Sequence, residues 1–221
     1  MIYLSVDVEP DFPPYLNTDY GIEGLKKIHG LLKKHNCDAA MFVCADFFEK
    51  EEQGRKYTRD YEIGCHGLRH VDLTKLNNLQ LQGEIHEAIE IFAEHEIKPR
   101  GFRAPYARVD KRVMTIISKY FEYDSSLMFY SLKKFRNIKE VPIFIGGKTF
   151  GISPGLFNLL LKFPKRDKVF FIHPWEFGGL NFELIYERRR NMRKWGYSAE
   201  NYFTNLEKLL EKGTKRLSEL L

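Results

Sequence analysis

Apolar positions along the chain alternate between two periods. Ile2–Val6 reads as a short β-type run. Ile22, Leu25, Ile28, Leu31 and Leu32 then recur at the three-to-four spacing of one helix face. The pair of patterns returns further on. Ala39–Val43 is strand-like, with Asp46 placed to cap a helix behind it; Tyr61–Cys65 is strand-like and Leu79–Ala93 helical. Phe102 marks another short strand, ahead of a helix over about 110–120 whose Val113, Ile116 and Ile117 face inward. Further strands are expected near Phe121–Tyr123, Val141–Phe144, Phe150–Ile152 and Val169–Ile172, and a last helix from about Ser198. Repeated strand–helix units imply right-handed crossovers and a parallel sheet, as an α/β barrel or an open doubly wound sheet. No repeat, linker or break in composition divides the chain, so one domain over 1–221 is expected.

Composition narrows the picture modestly. Hydrophobic residues make 43% of the 221 and charged residues 29%, which excludes disordered and collagen-like classes. The net charge of +5 comes from scattered residues and argues against a nucleic-acid partner. Arg188, Arg189 and Arg190, with Tyr186 and Trp195, read as a solvated helix or as a membrane-surface or subunit contact. Cys37, Cys44 and Cys65 form no CxxC pair and are expected to be buried thiols in a reducing compartment. There is no export signal and no apolar run long enough to span a bilayer, Phe157–Phe163 being short and holding Lys162; the expectation is a soluble, cytoplasmic protein.

The informative residues close the strands. Asp7 follows Leu4–Val6, His66 follows Ile63–Cys65, Arg103 follows Phe102, Asp124 follows Phe121–Tyr123, and His173 follows Val169–Ile172. Parallel strands bring their C-terminal ends to one rim, so these five should meet there. His66 and His70, four apart, could bind one metal from a single helical turn, or be a solvated pair. Asp7 and Glu9, two apart on an extended strand end, point the same way, so one could ligate while the other stays free as a base. Arg103 could hold a carboxylate with its planar fork, and the Tyr106 backbone N–H, after Pro105, could serve an oxyanion. His173-Pro174-Trp175-Glu176 sets an imidazole, a flat apolar wall and a carboxylate together; Trp175 could line the site or be core. Asp124 could equally open a turn. His29, His35, His86 and His95 fall in helical segments and receive no role.

Taken in order, these segments resemble the polysaccharide deacetylase family, the NodB-homology carbohydrate esterases, over most of the chain. Leu4-Ser5-Val6-Asp7 is similar to the family's first motif, and Glu62 through His70 to its metal-binding histidine motif. Gly101 through Tyr106 is similar to the arginine–proline motif, and Phe171-Ile172-His173 to the last. The resemblance implies an α/β fold, a distorted (β/α) barrel of about seven parallel strands, and metal-dependent removal of an N-acetyl group from an amino sugar. It further implies a divalent metal, Zn2+ being the ion expected, on Glu9, His66 and His70, with Asp7 as base and Arg103 orienting it. His173 would be the proton donor, with Asp124 paired to it; the Tyr106 N–H would face the oxyanion and Trp175 the substrate. Two departures stand out. Val8 occupies the place of the usual second aspartate, leaving Glu9 to ligate, and Pro174-Trp175 follow His173 where an aspartate is common. Rival expectations are a metal-independent amidohydrolase similar to the allantoinase-like branch, and a non-catalytic carbohydrate-binding relative.

Overall fold

In the computed structural model, which describes residues 1–9, 20–163, 166–178, 196–198 and 200–221, seven strands form one parallel sheet. These are β1 (Ile2–Val8), β2 (Ala40–Val43), β3 (Glu62–Cys65), β4 (Gly101–Phe102), β5 (Tyr123–Asp124), β6 (Lys139–Glu140) and β7 (Lys168–Ile172). The order β6-β5-β4-β3-β2-β1-β7 puts the first strand between β2 and the last. The sheet curls. Single parallel bridges, Met128 to Ile143 and Ile145 to Phe170, carry the chain beyond β6 round to β7. This is the expected distorted (β/α) barrel. The helices are α1 (Tyr20–Lys34), α2 (Ala45–Lys50), α3 (Glu52–Thr58), α4 (Asn78–Glu94), α5 (Lys111–Ile117), α6 (Pro154–Lys162) and α7 (Glu200–Leu210).

The period of two decides which side chains can do chemistry. Leu4, Val6 and Val8 on β1, Met41 and Val43 on β2, and Ile63 and Cys65 on β3 join the large cluster shared with the helices. Their alternates Tyr3, Ala40 and Phe42 join a smaller cluster with Tyr123, Val141 and Val169 inside the curl. The interior is thus plugged at the N-terminal ends of the strands, leaving the C-terminal ends to polar residues. Continuing the count places Ser5 and Asp7 on the interior face, with His66, Arg103 and His173 in phase with it.

Several sequence expectations need correction. Phe150–Ile152 is not a strand: Gly147–Gly151 is a 3-10 turn that tucks Phe150 against Phe157 and Phe170, and a short apolar triplet does not distinguish the two. Around Val141–Phe144 the regular ladder ends at Glu140 and only single bridges follow. Asp46 does not cap α2. The Ala45 and Asp46 amides donate instead to the Gly67 and Leu68 carbonyls, while the Asp46 carboxylate pairs with Lys50. The helices α3 and α6 were not anticipated, and the final helix starts at Glu200. Cys37, Cys44 and Cys65 are free and buried, as expected, and burial pushes the Cys65 thiol up to about 12. Residues 186–195, with the arginine cluster, lie outside the described residues. Among the described residues, no helix is long and apolar enough to cross a membrane.

Candidate functional site

Arg103 is the centre of the interior polar layer. It is buried to 1% exposure, so each of its donors needs an acceptor inside the protein. Nη1 donates to Asp7 Oδ1 at 2.6 Å and to Ser5 Oγ at 2.8 Å; Nε donates to the Ser125 carbonyl at 2.7 Å and Nη2 to Ser125 Oγ at 2.8 Å. Its guanidinium carbon lies 4.3 Å from the centroid of the Phe42 ring and 5.4 Å from that of Phe171. A buried ion pair held this completely sets where the Asp7 carboxylate sits.

Glu9, His66 and His70 form a second cluster beside it. Glu9 Oε2 is 3.3 Å from His66 Nε2 and 2.5 Å from His70 Nε2. His70 does not lie on a helix, as the four-residue spacing suggested. Residues 66–72 are a loop, and His70 reaches the cluster through a left-handed backbone, φ 55°. The loop is held from α4, where the Glu84 carboxylate accepts the Leu68 and Arg69 amides at 3.2 and 3.0 Å. Next to it, Tyr106 is also left-handed, φ 59°, and its ring packs on His70 at 4.6 Å. Two non-glycine residues held in this region mark a site that tertiary contacts over-determine.

The donor chemistry fits a divalent cation. One ligand atom each from Glu9, His66 and His70 lies within 4.8 Å of the others. His66 Nδ1 meets the Arg103 carbonyl at 2.8 Å, which orients the ring and turns Nε2 to the cluster. Trp175 Nε1 donates to Glu9 Oε1 at 3.1 Å, holding the carboxylate from behind. Burial works to raise the Glu9 carboxyl, yet the imidazoles of His173, His66 and His70 hold it well below the usual range.

Trp175 belongs to a 3-10 turn, Pro174–Glu176, after β7, and His173 is the extended residue that opens it. Two glycines let this turn sit as it does: a Cβ on Gly24 of α1 would overlap the Pro174 carbonyl, and one on Gly147 would overlap the Glu176 carboxylate. The His173 ring stacks on Trp175 at 4.8 Å, with Nε2 3.8 Å from Glu9 Oε1 and Nδ1 3.5 Å from Glu176 Oε2. Burial depresses the imidazole, but Glu9 and Glu176 outweigh it and lift His173 to about 9.

Asp124 is not where the sequence reading put it. Tyr123 points into the curl and bonds Glu62 with its hydroxyl, so Asp124, the next residue, faces the opposite side of the sheet. There it accepts the Ser126 hydroxyl at 2.7 Å and the Ser126 amide at 3.0 Å, and shares a hydrogen bond with Glu140, its register partner on β6. The carboxylate behind His173 is Glu176. A cavity of about 300 Å³ gathers the rest: Asp7, Glu9, His66, His70, Arg103, Tyr106, His173 and Trp175 all line it. Ser5 and Ser125, which hold Arg103, were missed. Ser125 directly follows Asp124, and Ser5 lies two residues before Asp7, whose inward parity would have found it.

The geometry can be set against known proteins. The family model described as polysaccharide deacetylase matches residues 2–122, more than half the chain. A structure from Mycobacterium smegmatis, described as a candidate polysaccharide deacetylase, aligns at TM-score 0.73 and 18% identity over 99% of this chain and 87% of its own. A peptidoglycan deacetylase from Bacillus subtilis aligns at TM-score 0.60 and 14% identity, covering 99% of this chain and 88% of its own. A CE4 family pseudoenzyme from Bacillus anthracis aligns at 0.64 and 17%, covering all of this chain and 64% of its own. At these identities the likeness is one of fold, and it spans a pseudoenzyme as well as deacetylases, so the residues of the site must carry the chemistry. No curated protein sequence matches this chain.

Proposed function

Because the chain belongs to the polysaccharide deacetylase family, hydrolases of carbon–nitrogen amide bonds, we propose that it removes an N-acetyl group from an amino sugar with a divalent metal ion held by Glu9, His66 and His70. One observation carries this reading: an oriented Asp7–Arg103 pair and a three-donor cluster open into the same cavity. Its volume, about 300 Å³, suits about one sugar unit with its acetamide. The whole of 1–221 acts in this reading as one catalytic domain.

The ion, when bound, supplies Lewis-acid polarisation of the amide carbonyl and a lowered pKa for an attacking water; zinc suits the nitrogen and oxygen donors. The chain's own residues do the rest. Asp7 Oδ1 is taken by Arg103, and the second carboxylate oxygen accepts the proton of the attacking water. Arg103, itself fixed by three buried hydrogen bonds to Ser5 and Ser125, keeps that carboxylate in place through a fourth. The Tyr106 N–H stabilises the oxyanion at the cavity wall. His173 protonates the leaving amine, and Glu176 rather than Asp124 holds it. Trp175 restrains Glu9 and gives His173 a flat surface to stack on.

The test is metal content by elemental mass spectrometry on untagged protein, with acetate release from N-acetylated oligosaccharides and lipid-linked amino sugars measured alongside. About one ion per chain is expected, lost in a His66→Ala/His70→Ala variant together with turnover. Asp7→Asn should retain the ion and lose about 10²–10⁴-fold in rate. No ion after zinc loading, or full activity in Asp7→Asn, refutes the proposal.

A further inference from the structure

Residues 125–138, between β5 and β6, carry Lys133, Lys134 and Arg136 and no acidic residue, and Lys139 opens β6 directly after them. All four bases are exposed. Immediately before them, Phe129 is 42% exposed, Tyr130 68% and Leu132 96%. Aromatic and aliphatic side chains left in water beside unneutralised cations are costly in isolation and favourable at a lipid headgroup boundary.

The segment is shaped and anchored. The Phe129 amide donates to the Ile143 carbonyl and the Ser131 amide to the Met128 carbonyl, both at 2.8 Å. Lys133 Nζ donates to the Val109 carbonyl at 3.0 Å, and the Arg166 guanidinium lies 4.2 Å from the centroid of the Phe129 ring, adding a fifth cation. The two anchor points bracket the cavity: Ile143 lines it, and Val109 closely follows Tyr106 and Ala107, which line it too.

We infer that the 129–136 turn docks the protein on an anionic lipid surface, with Tyr130 and Leu132 entering the headgroup boundary and Lys134 and Arg136 meeting lipid phosphates. The cavity then lies beside the lipid surface. Resting on the deacetylase reading, this makes the substrate an amino sugar borne on a lipid rather than a free polymer.

The experiment is vesicle co-sedimentation of the full chain with phosphatidylcholine alone and with phosphatidylglycerol added. Binding needs no turnover, so its failure is separate from failure of the hydrolase reading. Wild type should bind only the anionic vesicles, and more weakly as salt rises from about 0.15 to 0.5 M. Each cation near such a surface contributes roughly 5-fold, so Lys134→Ala/Arg136→Ala should lose about 25-fold. Tyr130→Ser/Leu132→Ser should also weaken binding, and both variants should keep hydrolysis of a soluble substrate. No binding to anionic vesicles overturns the inference, as does binding that neither variant weakens. Concentration-dependent self-association abolished by Tyr130→Ser/Leu132→Ser, without vesicle binding, would instead assign the turn to a protein contact.

Discussion

Glu140→Gln should make the protein less sensitive to alkali. Asp124 and Glu140 face each other across β5 and β6, and burial together with the Asp124 charge pushes the Glu140 carboxyl up to about 10. Glu140 Oε2 is buried with no hydrogen-bond acceptor role filled, which is where the retained proton belongs: the acid donates to Asp124, while Oε1 accepts the Leu127 amide at 3.1 Å. The folded value lies above the unfolded one. Stability from this proton is therefore full below the ordinary glutamate range, near 4.5, and is lost progressively as pH rises toward 10. One proton changes stability by about 1.4 kcal/mol per pH unit. Glutamine can donate to Asp124 and accept from Leu127 without a proton to lose, and every other titrating group is common to both proteins. Between pH 6 and 8 the stability of Glu140→Gln relative to wild type should rise by up to about 2.7 kcal/mol. Urea unfolding followed by circular dichroism at pH 6, 7 and 8 measures it. A difference constant to within about 0.5 kcal/mol across that range would show that the pair holds no shared proton.

Arg103→Met should cost about 3–5 kcal/mol, because Asp7 is left buried without its partner; a smaller loss in urea midpoints would mean that water takes the place of the guanidinium. Trp175→Phe keeps the stacking surface for His173 and removes the donor to Glu9. Zinc affinity by competition with a chelating dye should fall about 10–100-fold, and unchanged affinity would exclude Trp175 as a support for the site. Gly24→Ala, on α1 and outside the cavity lining, forces a Cβ into the Pro174 carbonyl. It should destabilise by about 1–3 kcal/mol and lower activity by moving His173, whereas wild-type stability would mean the turn yields freely.

The repeating strand–helix pattern and the strand-end positions of Asp7, His66, Arg103 and His173 were legible in the sequence, because local periodicity dictates which residues can share a face and parallel strands bring their C-terminal ends together. The same two-residue period also held the position of Asp124, but only after Tyr123 was known to point inward could the phase be read. A strand of two residues carries too little alternation to reveal its own phase, and the contact that sets it, Tyr123 to Glu62, spans 61 residues. The loop that bends His70 to Glu9 and the serines around Arg103 were decided in three dimensions. Each depends on a close approach between segments far apart in the chain, where shape and unsatisfied hydrogen bonds, rather than local propensity, select the partner.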